Sequence, residues 1–191
     1  EIWEGKLEPV YPYRKAGPTV EKINGKLTAP AAPKIGVAKP KVIIPVFPGT
    51  NCEYDTAKAF ARAGADPEIL VIRNLTPADV AESCKALVKA IDNSQIVMLP
   101  GGFSGGDEPD GSAKFIASFF RNPAVTEAVR DLLQHRDGLM LGICNGFQAL
   151  IKLGLAAYGD IRPITACDPT LTFNTIGRHQ SMLVRTRKIG R

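Results

Sequence analysis

Four apolar runs set the fold class of this chain. Val42-Ile43-Ile44-Pro45-Val46, Glu68-Ile69-Leu70-Val71-Ile72, Gln95-Ile96-Val97-Met98-Leu99 and Gly138-Leu139-Met140-Leu141 are hydrophobic at successive positions rather than at every second one. A strand with one face in water alternates. A continuously apolar strand has both faces covered, which is the signature of a parallel sheet between helical layers. Helical periodicity fills the intervals: a helix near 53–64 with Ala57, Phe60 and Ala61 on one face, another carrying Val80, Cys84, Leu87, Val88 and Ile91, and a stripe of Val125, Val129, Leu132 and Leu133. The second helix has a strong start signal in Thr76-Pro77-Ala78-Asp79, which reads as N-cap, first-turn proline and capping acid. Asn74-Leu75-Thr76 also matches a glycosylation sequon, but the capping role explains Thr76 better.

The 191 residues suffice for one domain with a full core plus an appendage. Residues 1–40, with six prolines and no periodicity, read as a linker or extended arm. Ile2-Trp3 and Val10-Tyr11 are its candidate docking points. The composition changes at Lys41, and residues 41–191 form the domain. Beyond the last helix, Leu171-Thr172-Phe173-Asn174-Thr175-Ile176 and Met182-Leu183-Val184-Arg185 read as paired, more exposed strands. The net charge of +5 comes from the ends: residues 1–41 and 178–191 together carry +9, leaving −4 for the middle. A mildly acidic folded body argues against a nucleic-acid groove. Four cysteines without a CxxC pair, no apolar signal region and no run of membrane-span length point to reduced thiols in a cytoplasmic protein. Two histidines without metal-ligand spacing give no zinc site.

Three loops leave the carboxyl ends of the strands, where open parallel sheets bind ligands. In the third, Gly142-Ile143-Cys144-Asn145-Gly146 joins an apolar strand to a helix continuing through Phe147, Leu150, Ile151 and Leu153. A nucleophile between glycines at such a junction is an elbow: the turn is too sharp for neighbouring Cβ atoms, and the thiol is left exposed. The helix N-terminus supplies partial positive charge and unpaired N–H groups, which suit a thiolate and an oxyanion. The second loop, Pro100-Gly101-Gly102-Phe103-Ser104-Gly105-Gly106-Asp107, lets backbone N–H groups approach a ligand. It lacks the lysine of a P-loop and the spacing of a dinucleotide loop. Its expected use is one wall of an oxyanion hole, at Gly102 and Phe103, completed by the Asn145 N–H. The first loop, Pro48-Gly49-Thr50-Asn51-Cys52, makes Asn51 and Cys52 further site candidates. A capping or core role is the expected one for Cys52, and a core position for Cys84.

These motifs together resemble the class I glutamine amidotransferases, whose elbow cysteine is followed four residues later by a glutamine, here Gln148. The combination of Pro48-Gly49-Thr50-Asn51-Cys52-Glu53, the Pro-Gly-Gly-Phe-Ser loop and Gly142-Ile143-Cys144-Asn145-Gly146-Phe147-Gln148 is similar to the glutaminase domains of the phosphoribosylformylglycinamidine synthase family. The resemblance covers about residues 41–187. It implies a flavodoxin-like open sheet with helices on both faces, preceded by the arm. It implies a ligase of purine biosynthesis in which Cys144 attacks glutamine and forms a thioester, Gln148 helps fix the substrate, and ammonia passes to an ATP-dependent site. That site converts formylglycinamide ribonucleotide to its amidine. No cofactor is expected in this segment. ATP and Mg²⁺ belong to the synthetase part of the parent, which the resemblance implies is one long chain ending in this domain.

Members of the family use a His-x-Glu pair after the elbow as general base and its orienter. Downstream of Cys144 the sole histidine is His179, in Arg178-His179-Gln180-Ser181, with no acid two residues on. His135 precedes the elbow and is expected to end a helix. The expectation is therefore a domain truncated at its C-terminal end and inactive alone. Two other classes compete: a cysteine hydrolase of the DJ-1 and peptidase type, disfavoured by the Pro-Gly-Gly-Phe loop together with Gln148, and a non-catalytic docking module.

Overall fold

The computed structural model describes residues 36–105, 112–171, 174 and 176–182. One compact unit, residues 32–180, holds every element below; of the other, residues 1–31 and 181–191, only Ser181 and Met182 are described, and neither is in a helix or strand. The arm expected over 1–40 lies outside the described residues up to residue 35.

Four strands and the helices between them alternate along the chain: β1 Lys41–Val46, α1 Glu53–Arg62, β2 Asp66–Val71, α2 Pro77–Asp92, β3 Ile96–Leu99, α3 Lys114–Phe120, α4 Pro123–Arg130, β4 Leu139–Gly142, α5 Asn145–Leu153 and α6 Leu155–Tyr158. The strands form one sheet in the order β2-β1-β3-β4, all parallel. This is the open α/β sheet expected from the apolar runs, with its four strands where those runs lie. β2 begins at Asp66, two residues earlier than its apolar stretch, because its ladder with β1 opens at Lys41↔Asp66. β1 pairs with β2 over six residues but with β3 only at Val42 and Ile43. Pro45 follows on β1 with no N–H to give, which suits a ladder that stops short on that side.

The two faces are unequal. On one, Ile43, Val97 and Leu99 pack with Leu87 and Ile91 of α2, Ile116 and Phe120 of α3, Val125 and Val129 of α4, and Leu150 and Leu153 of α5. On the other, Val42, Ile44 and Met98 meet Ala57 and Phe60 of α1. Parallel register puts Leu139 and Leu141 beside Ile96 and Met98 on this second face, yet they stay 39% and 45% exposed. Among the described residues α1 covers the β1–β2 half, and the β4 half is bare.

Helix ends follow local chemistry. Thr76 and Asp79 form a complete capping box: the Asp79 N–H donates to Thr76 Oγ1 at 3.1 Å, and the Thr76 N–H to Asp79 Oδ2 at 3.0 Å. At the other end of α2, Arg136 donates to the carbonyls of Ile91, Asp92 and Ser94, closing orphan acceptors. His135 ends a π-helical turn, Asp131–His135, that continues α4, as expected of it. Leu171, Asn174, Ile176 and Met182, from the two segments read as late strands, lie outside any strand; the remaining residues of those segments lie outside the described residues.

Replacing the cap isolates one such end. Thr76→Ala removes the acceptor for the Asp79 N–H and is expected to cost about 1 kcal/mol. A urea titration should show a lower midpoint at unchanged slope; an unmoved midpoint would contradict the capping assignment.

Candidate active site

The strand order reverses direction between β1 and β3, so the loops at their carboxyl ends flank a crevice, with the end of β4 next to it. The β1 loop is anchored first. Phe47 is buried, with ring centroids 5.8 and 5.4 Å from Phe115 and Phe119 in edge-to-face contact. Thr50 Oγ1 donates to the Phe47 carbonyl at 2.8 Å and accepts from its N–H at 3.1 Å. The backbone of Gly49-Thr50-Asn51 then runs antiparallel to the glycine-rich loop after β3. Asn51 N–H donates to Gly101 O at 3.2 Å, Phe103 N–H to Gly49 O at 3.0 Å and Gly105 N–H to Pro48 O at 2.7 Å. Glycine is required at this seam. Gly49 has φ +91°, and a Cβ on it would stand 1.9 Å from the Phe103 carbonyl oxygen.

The same ladder sorts the two expected oxyanion donors. The Phe103 N–H is occupied by Gly49, and the Phe103 side chain is 82% exposed. Thr50 and Gly102 form the pair between the ladder bonds, so the Gly102 N–H faces away from the β1 loop and has no partner among the described residues. Gly102 is the donor left available.

The elbow is as sharp as its glycines suggest. Cys144 has φ +52° and ψ −111°, a conformation that costs a non-glycine residue about 1–3 kcal/mol. A Cβ on Gly142 would fall 2.6 Å from the Gly146 carbonyl, and one on Gly146 would fall 2.1 Å from the Leu99 oxygen. Cys144 stands immediately before α5 and is exposed, and its thiol makes no hydrogen bond among the described residues. Asn145 is buried and joins the loops: its Oδ1 accepts from the Ser104 N–H at 3.3 Å, and its Nδ2 donates to Gln148 Oε1 at 3.3 Å. The carbonyl end of Gln148 is thus engaged in steadying Asn145.

Cys52, expected to cap or to join the core, does neither. It precedes α1 with no side-chain cap bond, is exposed, and donates to Asn51 Oδ1 at 3.3 Å. A Cβ built on Gly101 would lie 3.4 Å from Cys144 Cβ and 3.5 Å from Cys52 Sγ, so the two cysteines flank that glycine. Beside Cys52, Glu53 keeps one buried carboxylate oxygen without a partner among the described residues. Cys84 is in the core as expected, where burial pushes its thiol up. His135 stands at the amino end of β4, opposite the elbow, and pairs with Asp131 at 3.3 Å. His179 is exposed. Two supporting residues had little signal in sequence. Thr50 and Ser104 are small polar residues in loops, and their roles depend on which carbonyl or amide lies opposite.

These elements make up an open parallel α/β domain with a cysteine at the strand-to-helix elbow and a glycine-rich wall beside it. The sequence model of the CobB/CobQ-like glutamine amidotransferase domain matches residues 39–190, and the chain belongs to that family. The subunit PurQ of phosphoribosylformylglycinamidine synthase from Methanococcus maripaludis strain S2 is 38% identical over 118 residues, covering 62% of this chain and 39% of that protein. Its counterpart from Treponema denticola is 33% identical over 150 residues, 74% of this chain and 51% of that protein. The chain therefore spans between 39% and 51% of the length of these curated relatives. The solved structure of PurLQS from Thermotoga maritima has 27% identity and a TM-score of 0.43, covering 61% of this chain and 45% of that chain. No helix among the described residues is long and apolar enough to cross a membrane.

The elbow packing makes its own prediction. Gly146→Ala forces a methyl against the β3 backbone, which has no side chain to swing aside. It is expected to cost about 3 kcal/mol or more, the upper range for overpacking, read as a fall in the thermal midpoint. Unchanged stability would contradict the close approach of α5 to β3.

Proposed function

We propose that this domain is a glutaminase whose nucleophile is Cys144 and whose product, ammonia, serves the amination of formylglycinamide ribonucleotide in purine synthesis. The observation that carries the reading is the meeting of the elbow and the glycine-rich loop at the ends of β3 and β4, where Asn145 bonds Ser104, Cys144 flanks Gly101 and the Gly102 N–H is unused among the described residues. Family membership and the likeness to PurQ subunits support it.

In this reaction the Cys144 sulfur attacks the side-chain carbonyl carbon of glutamine. The carbonyl electron pair moves to oxygen, where the Gly102 and Asn145 N–H groups stabilise it. Collapse expels the nitrogen, which takes a proton and leaves as ammonia, and the glutamyl group stays as a thioester that water hydrolyses. Gln148 acts through Asn145, fixing the wall on the helix side. Asn51 and Cys52 line the mouth from the β1 loop.

The thiol must give up a proton and the departing nitrogen must gain one, so one group serves first as base and then as acid. Among the described residues none hydrogen-bonds the Cys144 thiol, and the sequence has no His-x-Glu pair after the elbow. We assign that role to a segment outside these 191 residues. ATP, Mg²⁺ and the nucleotide substrate belong to a synthetase partner, and the single-chain arrangement with residues 1–40 as its connection to residues 41–191 is part of the same proposal.

A diazo-ketone analogue of glutamine separates capture from turnover. The chain is expected to form one adduct, mapped to Cys144 by peptide mass spectrometry and lost in Cys144→Ala, while glutamine itself yields no sustained ammonia release. Steady ammonia production by this polypeptide would overturn the half-site reading, and an adduct elsewhere would overturn the nucleophile.

A further inference from the structure

The β1 loop brings a second thiol to the elbow, and the reaction above has no use for it. Cys52 and Cys144 come from loops ninety-odd residues apart, yet both lie within 3.5 Å of one point, the place a Cβ on Gly101 would occupy. That approach is held by backbone: the Asn51 N–H donates to Gly101 O, and Gly101 itself lies against the elbow, 3.6 Å from Ile143 O by the same measure. Gly101 has no side chain to fill the space between Cys52 Sγ and Cys144 Cβ. Both cysteines are exposed and reduced, and each directly precedes a helix, α1 and α5, so neither is packed into a helix face. The Cys52 thiol is held by one surface bond to Asn51 Oδ1, which a rotation about its Cα–Cβ bond breaks. Of the remaining cysteines, Cys84 is enclosed in the core and Cys167 lies in the segment after α6.

We infer that Cys52 and Cys144 form a redox pair in which Cys52 resolves oxidation of the elbow thiol. The oxidant is a peroxide. The Cys144 thiolate attacks one peroxide oxygen, the O–O bond breaks, and the other oxygen leaves as hydroxide, giving a sulfenic acid. The Cys52 thiolate then attacks the Cys144 sulfur; the S–O bond breaks, hydroxide leaves and takes up the proton Cys52 has lost, and a disulfide remains. Two thiols and one peroxide thus become one disulfide and two waters. A dithiol reductant reverses the bond by exchange. The disulfide ties the β1 loop across the glycine-rich loop to the elbow and removes the nucleophile, so glutamine capture stops while the sulfur is protected from the irreversible sulfinic state. This inference rests on the Cys144 reading for its functional consequence, and on the Gly101 geometry alone for the bond.

The test uses the full chain, reduced and then exposed to hydrogen peroxide, with free thiols alkylated and the digest mapped without reductant. A Cys52–Cys144 peptide pair is expected as the first disulfide. Diazo-ketone labelling of Cys144 should be lost with it and restored by dithiothreitol. In Cys52→Ser the same treatment is expected to carry Cys144 to sulfinic acid, with labelling not restored. Sulfinic acid at Cys144 of the unaltered chain with Cys52 still free, or a disulfide through Cys167, would overturn the pairing. Failure of the reduced chain to label with the diazo-ketone would instead overturn the glutaminase reading, whatever the disulfide does.

Discussion

The backbone of Gly146 lies so close to the Leu99 carbonyl that a single methyl group would collide with it, and the site is arranged around that contact. It draws the first turn of α5 against the carboxyl end of β3. The chain must then leave β4 through a turn tight enough to put Cys144 at a positive φ. Gly142 allows the turn from the strand side and Gly146 from the helix side. The strain at Cys144 is offset by the packing of Leu150 and Leu153 of α5 into the larger core. Exposure of the thiol is a consequence of that geometry.

The opposite wall is built by a different device. The β1 loop and the glycine-rich loop form a short antiparallel ladder, although the strands they leave are parallel. This engages the Gly101 carbonyl and the Phe103 and Gly105 N–H groups without side chains and fixes which amides the loop spends. Asn145 then ties that wall to the elbow through the Ser104 N–H. Three loops distant in sequence become one rigid rim, held by backbone bonds, one buried amide and three glycine approaches.

Much of this was legible in the residues. Continuous apolar runs located all four strands, and the capping box placed the start of α2 at the right residue. The elbow was visible because a glycine on each side of a cysteine leaves few other conformations. Phe103 shows where such reading ends: a glycine-rich loop offers several N–H groups, and ladder register, set by long-range pairing, decides which remain free. For Cys52 the sequence points to core or cap, because a cysteine at a helix start usually has a local role. The loop pairing that turns it toward Gly101 leaves no trace in spacing. The second sheet face also departs from expectation. Parallel strands call for cover on both sides, and Leu139 and Leu141 have little among the described residues.

The bare half of the sheet and the Cys144 thiol, which has no hydrogen-bond partner among the described residues, both belong to the β4 end of the sheet. The elbow geometry calls for selective reactivity of Cys144, which alkylation rates resolve residue by residue. With iodoacetamide, Cys144 is expected to react faster than Cys84, whose thiol burial holds protonated, and glutamine is expected to slow Cys144 alone. Equal labelling of all four cysteines, unaffected by glutamine, would contradict it.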